Sequence, residues 1–368
     1  MARHRVVIVD RPAWYLPIVE AEELARADAE VLVGWARLGA SPELDPTMAS
    51  LGLPVEQLSL ISLSYVGSAR HTEDVIAEMA HDADAIVVTS ARVTAGAMDR
   101  LPRLRVIGRP GIGYDVVDVE AATARGIAVF SAPGFCAREV ADHTLMLALA
   151  LARKAPLLYN AMRRGVYERG LSAPIKAVHE MTLGLVGFGE IGREVAARAR
   201  PFGFRLIASD PYVSAEAAAL HGVTLLRLEE LLAESDIVSV HAPLTKGTFH
   251  LLGERELALM NPAAYVVNTA RGALIDQRAL VAALEAGRLA GAGLDVFEGE
   301  PLEPDSPLLR MENVLLTPHV AGVSDSSQIA VKQRIARNIA SVLTGEWTPT
   351  RDLVNPEVRG HPRQRASG

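Results

Sequence analysis

Short apolar runs alternate with amphipathic stretches along nearly the whole chain. In the first third the strand-like runs are Arg5–Val9, Glu30–Val33, Ala85–Val88, Arg105–Gly108 and Ile127–Phe130. Helical patterns lie between them, at His71–Ala80 and Val119–Arg125. That rhythm predicts βα units around a mostly parallel sheet. Residues 37–70 break it, with Pro42, Pro46 and Pro54 and no clear period, and read as an irregular insertion.

A long Ala/Leu-rich helix is expected over Ala137–Arg153, with little polar surface in its second half. A helix apolar on most faces is covered by a core or by a second subunit. A polar stretch, Arg163–Lys176, follows. A second βα series then begins, with strands expected at Leu183–Val186, Arg205–Ser209, Ile237–His241, Ala264–Asn268, Ala292–Asp295 and Val314–Thr317. Their low polarity suits strands covered on both faces. The segment 351–368 is polar with Pro and Gly, and is expected to be disordered.

Length and composition narrow the picture. At roughly 100–200 residues per domain, 368 residues suggest two domains. With 49% hydrophobic and 22% charged residues the chain can fill packed cores. The formal charge, 37 − 44 = −7, argues against a nucleic-acid binder, which needs a basic face. The most apolar stretch, Leu145–Ala152, is far shorter than the roughly 20 residues of a membrane span. The N-terminal apolar run is too short for a signal-peptide core and is followed by Asp10 and Arg11. Cys136 is the one cysteine, so no intrachain disulfide can form. A cytoplasmic protein is expected.

The strongest local motif is Gly187-Phe188-Gly189-Glu190-Ile191-Gly192, between the strand Leu183–Val186 and a helix expected over Glu190–Arg200. Glycines at this spacing permit a tight turn, close approach of a pyrophosphate, and close helix–strand packing. The helix N-terminus offers N–H groups to phosphates. The next strand ends in Asp210, eighteen residues after Gly192 (210 − 192 = 18). An acid there accepts from the adenosine ribose hydroxyls and repels the 2′-phosphate of NADP. Strand, glycines, helix, strand and acid in this order predict NAD binding.

Three polar residues follow strands of the second series: Arg271, Glu300 and His319. Loops after parallel strands open on the carboxyl edge, where a dinucleotide lies. A His suits proton transfer to or from a hydroxyl. A carboxylate beside it favours imidazolium and fixes the tautomer. An Arg can pair bidentately with a substrate carboxylate. Singly, each has a plainer reading: a surface cation, a solvated loop acid (as the nearby Glu298 also offers), a satisfied core histidine. Three on one edge beside a cofactor motif favour chemistry. No metal-ligand spacing stands out, and no metal is expected.

These motifs, with His241-Ala242-Pro243-Leu244-Thr245, Asn268–Gly272, Gly293–Phe297 with Glu300-Pro301, and Thr317-Pro318-His319, resemble the D-isomer-specific 2-hydroxyacid dehydrogenases, in their phosphoglycerate dehydrogenase-like or C-terminal binding protein-like branch. The resemblance runs from about Asp84 to Gly345. It implies two Rossmann-like doubly wound parallel-sheet domains with a cleft between them. Residues 1–133 and 320–350 would form the substrate domain and 134–319 the NAD domain. It implies Arg271 as the substrate-carboxylate cation, Glu300 as acid partner and His319 as acid/base. Gly187, Gly189, Glu190, Ile191, Gly192, Asp210, Ala242, Pro243, Thr248, Thr269, Ala270 and Asp295 would line the NAD site, with Asp295 meeting the nicotinamide carboxamide. Ser90, Ala91, Ile112 and Gly113 would contact a small 2-hydroxy or 2-keto acid. The helix Ala137–Arg153 would pack against a second copy in a homodimer. Val116 departs from the family's usual Asn, which bears on the local turn hydrogen bonds. Arg92 and Arg109 are candidates for a substrate phosphate, or are solvated or structural charges. The linker Arg163–Val178 resembles the C-terminal binding proteins, so an NAD-sensing dimeric corepressor is the alternative to an NAD-dependent dehydrogenase. A dehydrogenase of formate is disfavoured, since it usually has Gln in place of Glu300.

Overall fold

A computed structural model describes residues 4–11, 18–35, 61–64, 73–347 and 350–364. The chain divides into two compact units, residues 1–135 with 325–368, and residues 136–324. The sequence places the inner unit at 134–319; the structure carries it on to Ser324, where the helix Asp325–Thr344 begins.

The first unit holds a six-stranded parallel sheet of β1 (His4–Arg11), β2 (Ala29–Trp35), β3 (Ile61–Ser64), β4 (Ala85–Val87), β5 (Val106–Gly108) and β6 (Ala128–Phe130). Their order is β3-β2-β1-β4-β5-β6. β1 shows why a plain Val/Ile run makes such a strand. Val6 and Ile8 enter the cluster on one face, Val7 and Val9 the cluster on the other. β3 lies inside the segment expected to be irregular and pairs in parallel with β2. That is a correction: the prolines punctuate the segment but leave four residues to extend the sheet. The rest of 37–70 lies outside the described residues. Val116 does not undo its turn, because backbone bonds close it: the Val117 N–H donates to the Tyr114 carbonyl (2.9 Å) and the Val93 N–H to that of Val116 (2.9 Å).

The polar C-terminal segment is also corrected. Leu353 pairs antiparallel with Phe130, at the edge of the sheet. The buried Asn355 accepts the Val129 N–H (2.8 Å) and donates to the Ile127 carbonyl (2.9 Å). The buried Gln364 donates to the carbonyls of Arg105 (2.7 Å) and Gly126 (2.6 Å). Residues 350–364 thus cover the open side of β6, their amides satisfying backbone groups that an edge strand leaves unpaired. Polar composition alone does not distinguish such a cover from a disordered tail.

The second unit holds a seven-stranded parallel sheet: β7 (Thr182–Val186), β8 (Arg205–Ser209), β9 (Thr224–Leu225), β10 (Ile237–Val240), β11 (Tyr265–Asn268), β12 (Gly291–Leu294) and β13 (Val314–Leu316). The order β13-β12-β11-β10-β7-β8-β9 reverses direction between β7 and β10. Loops at the carboxyl ends of those two strands flank the switch point, where doubly wound sheets bind ligands. Clusters cover both faces: Leu183 and Leu185 face one, Val186, Val238 and Val240 the other.

The helix Ala137–Ala152 belongs to this core. Its Leu145, Leu147 and Leu151 are buried within the unit, and a Cβ on Gly293 would stand 3.1 Å from Leu147. Much of its apolar character is therefore covered by its own core, the first of the two covers expected for it. Met146 remains about half exposed, at 49%. Among the described residues no helix is long and apolar enough to cross a membrane.

Candidate functional site

The glycine turn after β7 tests the cofactor reading. Gly187 has φ +95°, and a Cβ there would lie 2.7 Å from the Ala242 nitrogen. A Cβ on Gly192 would lie 2.6 Å from the Gly187 carbonyl oxygen. The fold itself demands these two. A Cβ on Gly189 would meet nothing within 4 Å. Packing within the chain does not require that glycine, and the open space in front of it lies at the N-terminus of the helix Glu190–Ala199. Backbone N–H groups and the dipole of that helix suit a pyrophosphate. Glu190 is exposed and Ile191 half-buried on its first turn.

Asp210 stands at the end of β8, half-buried, and does a second task. Its Oδ2 accepts the Phe188 N–H (2.8 Å) and its Oδ1 the Tyr212 N–H (2.8 Å). The acid that would face the ribose also fastens the glycine turn. After β10, Ala242 is buried against Gly187. The Thr248 hydroxyl donates to the Pro243 carbonyl (2.6 Å), so Pro243 and Thr248 fix one loop. His241, quoted in the sequence motif without a role, points an enclosed ring toward Ser239 (Nε2 to Oγ 2.9 Å), and burial pushes its pKa down to about 4. The ring is therefore neutral near pH 7.

After β11, the buried Asn268 shapes the turn that carries Arg271. Its Nδ2 donates to the Arg271 carbonyl (2.8 Å) and its Oδ1 accepts the Ala270 N–H (3.0 Å). Thr269 is buried, with its hydroxyl 2.8 Å from that of Thr144. Arg271 itself has extended backbone, and its Nη1 donates to the Ala270 carbonyl (2.8 Å).

Asp295 stands at the end of β12. Its carboxylate is fully buried. Oδ1 accepts the Thr317 hydroxyl (2.5 Å) and the Val320 N–H (2.9 Å), and Oδ2 the Ala321 N–H (2.8 Å). His143, on the helix Ala137–Ala152, reaches Thr317 with Nε2 (2.9 Å). Asp295 thus anchors the loop of His319 from inside the chain. His143 and Thr317 join this anchor through partners 174 and 22 residues away, a span no local pattern reads.

His319 has φ +54°, a conformation costly for a residue with a Cβ and kept only where surroundings enforce it. Here its N–H donates to the Asp295 carbonyl (2.8 Å). The ring Nδ1 lies 2.7 Å from Glu300 Oε2. An ionised carboxylate only accepts, so Nδ1 carries the proton and Nε2 is the nitrogen turned to other chemistry. Glu300 Oε1 accepts the Phe297 N–H (3.1 Å). Burial raises the Glu300 pKa, but the hydrogen bond and charge of His319, the Phe297 N–H and the charge of Arg271 outweigh it, leaving the carboxyl below its usual value of about 4.5. His319 and Arg271 therefore both act on Glu300 within the second unit.

In the first unit, Ser90 is exposed and Ala91 buried in the loop after β4, and Ile112 and Gly113 are half-buried in the loop after β5. Arg92 is exposed. The Arg109 guanidinium lies over Gly111, whose Cβ would fall 1.2 Å from Nη1, so this cation is folded onto its own loop.

Residues 145–321 match the family model for the D-isomer specific 2-hydroxyacid dehydrogenase NAD-binding domain. The chain is 40% identical over 291 residues to a glyoxylate reductase of Korarchaeum cryptofilum, covering 78% of this chain and 87% of that one. It is 42% identical over 277 residues to a D-3-phosphoglycerate dehydrogenase of Methanocaldococcus jannaschii, covering 75% of this chain but only 52% of that protein. Among solved structures, the D-lactate dehydrogenase from Aquifex aeolicus complexed with NAD and lactic acid superposes with a TM-score of 0.72 at 27% identity, over 86% of this chain and 96% of the other. With the glycine turn, the acid after β8 and two doubly wound sheets in place, the chain belongs to the D-isomer specific 2-hydroxyacid dehydrogenase family and is an NAD-dependent oxidoreductase.

Proposed function

We propose that the protein interconverts a small D-2-hydroxy acid and its 2-keto acid. The observation that carries this reading is the 2.7 Å pair of His319 Nδ1 and Glu300 Oε2, with the charge of Arg271 reaching the same carboxylate. When bound, NAD takes or supplies the hydride at the substrate C2. In the oxidative direction His319 Nε2 accepts the hydroxyl proton, and the resulting imidazolium is stabilised by Glu300. In the reductive direction the same nitrogen returns the proton to the carbonyl oxygen. Arg271 pairs with the substrate carboxylate, a planar two-point contact that Lys cannot make. Ser90, Ala91, Ile112 and Gly113 are proposed substrate contacts, each on the carboxyl edge of its own sheet. The open space at Gly189, with Gly187, Glu190, Ile191, Gly192, Ala242, Pro243, Thr248, Thr269 and Ala270 around the same strand ends, supports their assignment to NAD. A homodimer built around the helix Ala137–Arg153 is also proposed, on its apolar sequence and its half-exposed Met146.

The test is NADH oxidation with a panel of 2-keto acids, including glyoxylate, pyruvate and a phosphorylated keto acid. At least one is expected to be reduced to the D-hydroxy acid. Turnover of none, or formation of the L product, sinks the reading. Light scattering at micromolar concentration tests the dimer, and a monomer there counts against it.

A further inference from the structure

Glu298 offers itself in the sequence as a solvated loop acid, but the structure ties it at three points. Its N–H donates to Gln277 Oε1 (3.1 Å), and its Oε2 accepts the Gln277 N–H (3.3 Å), a reciprocal pair at the start of the helix Gln277–Glu285. Its Oε1 lies 2.6 Å from His250 Nε2. His250 is itself held: φ is +51°, its N–H donates to the Ala273 carbonyl (2.8 Å), and its ring stacks on Phe249 with centroids 3.9 Å apart. Its Nδ1 stands 3.8 Å from Asp276 Oδ2, so the imidazole sits between two carboxylates.

The same junction joins two parts of the proposed site. Gly272 follows Arg271, and a Cβ there would fall 1.9 Å from the Phe297 carbonyl carbon and 2.4 Å from the Glu298 nitrogen. The Arg271 turn and the segment bearing Glu300 therefore touch backbone to backbone. Glu298 fastens that contact from one side. On the other, the Phe297 N–H holds Glu300. A partly exposed ion pair adds little stability by itself. A displacement of about 1 Å at a reacting group, however, can cost up to about 10²-fold in rate.

We propose that Glu298, clamped by His250 and Gln277, is a positioning residue that sets Glu300, and through it His319, for proton transfer. This rests on reading His319 as the acid/base. The experiment compares Glu298→Ala with Glu298→Gln, which keeps an oxygen acceptor for His250 but loses the charge and the longer bond. Glu298→Ala is expected to lower kcat about tenfold and to move the pH profile, with the KM for NADH nearly unchanged. Glu298→Gln should restore kcat to within about threefold of wild type. Wild-type kcat and pH profile in folded Glu298→Ala overturn the proposal. So does an equal loss in both variants that follows a fall in Tm. If Glu298→Ala does not fold, Gln277→Ala takes its place under the same criteria. Histidine NMR titration of the protein without cofactor reads the geometry independently of turnover. The His319 signal should move in Glu298→Ala and stay in Glu298→Gln, and an unmoved signal in Glu298→Ala refutes the positioning. A wild type that reduces no keto acid sinks the proposed reaction, and the titration still decides the clamp.

Discussion

Both sheets are wound in one order, outward from β1 and β4 in the first unit and from β7 and β10 in the second. Their first strands end differently. β1 runs out through Val9-Asp10-Arg11 into Pro12, and β7 into Gly187-Phe188-Gly189. Both strands are Val/Leu/Ile-rich and buried on two faces. The sheet is thus a scaffold common to both units, and the dinucleotide chemistry belongs to the turn of one. The proton-transfer candidates follow the same division. Arg271, Glu300 and His319 all stand after strands of the second sheet.

The sharpest break in this comparison is to remove chemistry from the second unit while keeping its fold. His319→Ala should lower kcat by about 10²–10⁴-fold, the usual cost of losing a general acid or base. Circular dichroism and Tm should show a folded chain, since the side chain is about half exposed. Full activity in the folded variant would overturn the assignment.

Next comes the turn itself. Gly189→Val should weaken NADH binding at least about tenfold with little change in Tm, because its side chain enters space that no protein atom occupies. Gly187→Val should instead lower Tm, because it strains a left-handed turn and meets the Ala242 backbone. Isothermal titration and thermal melts separate the two, and identical behaviour would show that the middle glycine is structural after all.

Asp210→Ala should narrow the preference for NAD over NADP, read as the ratio of kcat/KM values. It should also lower Tm by a few degrees, since two backbone N–H groups lose their acceptor. An unchanged ratio would leave Asp210 only its structural task.

The smallest expected effect is on Glu300. Its folded carboxyl is held below the usual value of about 4.5. The stability it contributes is present above that value and lost as pH falls through the lowered folded one. The Tm difference between wild type and Glu300→Gln should be seen near neutral pH and vanish in acid. In the same variant the keto-acid reduction limb should move to lower pH, because the carboxylate that favours imidazolium is gone. A profile that does not move removes Glu300 from the proton path.

What the sequence determined by itself rests on short-range regularity. Continuous apolar runs, as in strands covered on both faces, made β1, β7 and β10 legible. Gly187, Gly189 and Gly192 are legible as a turn because their spacing is local, and Arg271, Glu300 and His319 because each follows a strand. Tertiary structure decided the rest, where a residue's role depends on a partner distant in the chain. Asn355 and Gln364 look like tail residues until they meet the backbone around β6, more than 200 residues earlier. Leu145 and Leu147 suit a core or an interface alike until the fold places them in the core of their own unit. The second task of Asp295, accepting from Thr317, Val320 and Ala321, shows only in the fold. A buried polar group must find a partner. Composition states that requirement, and only the folded chain shows which atom meets it.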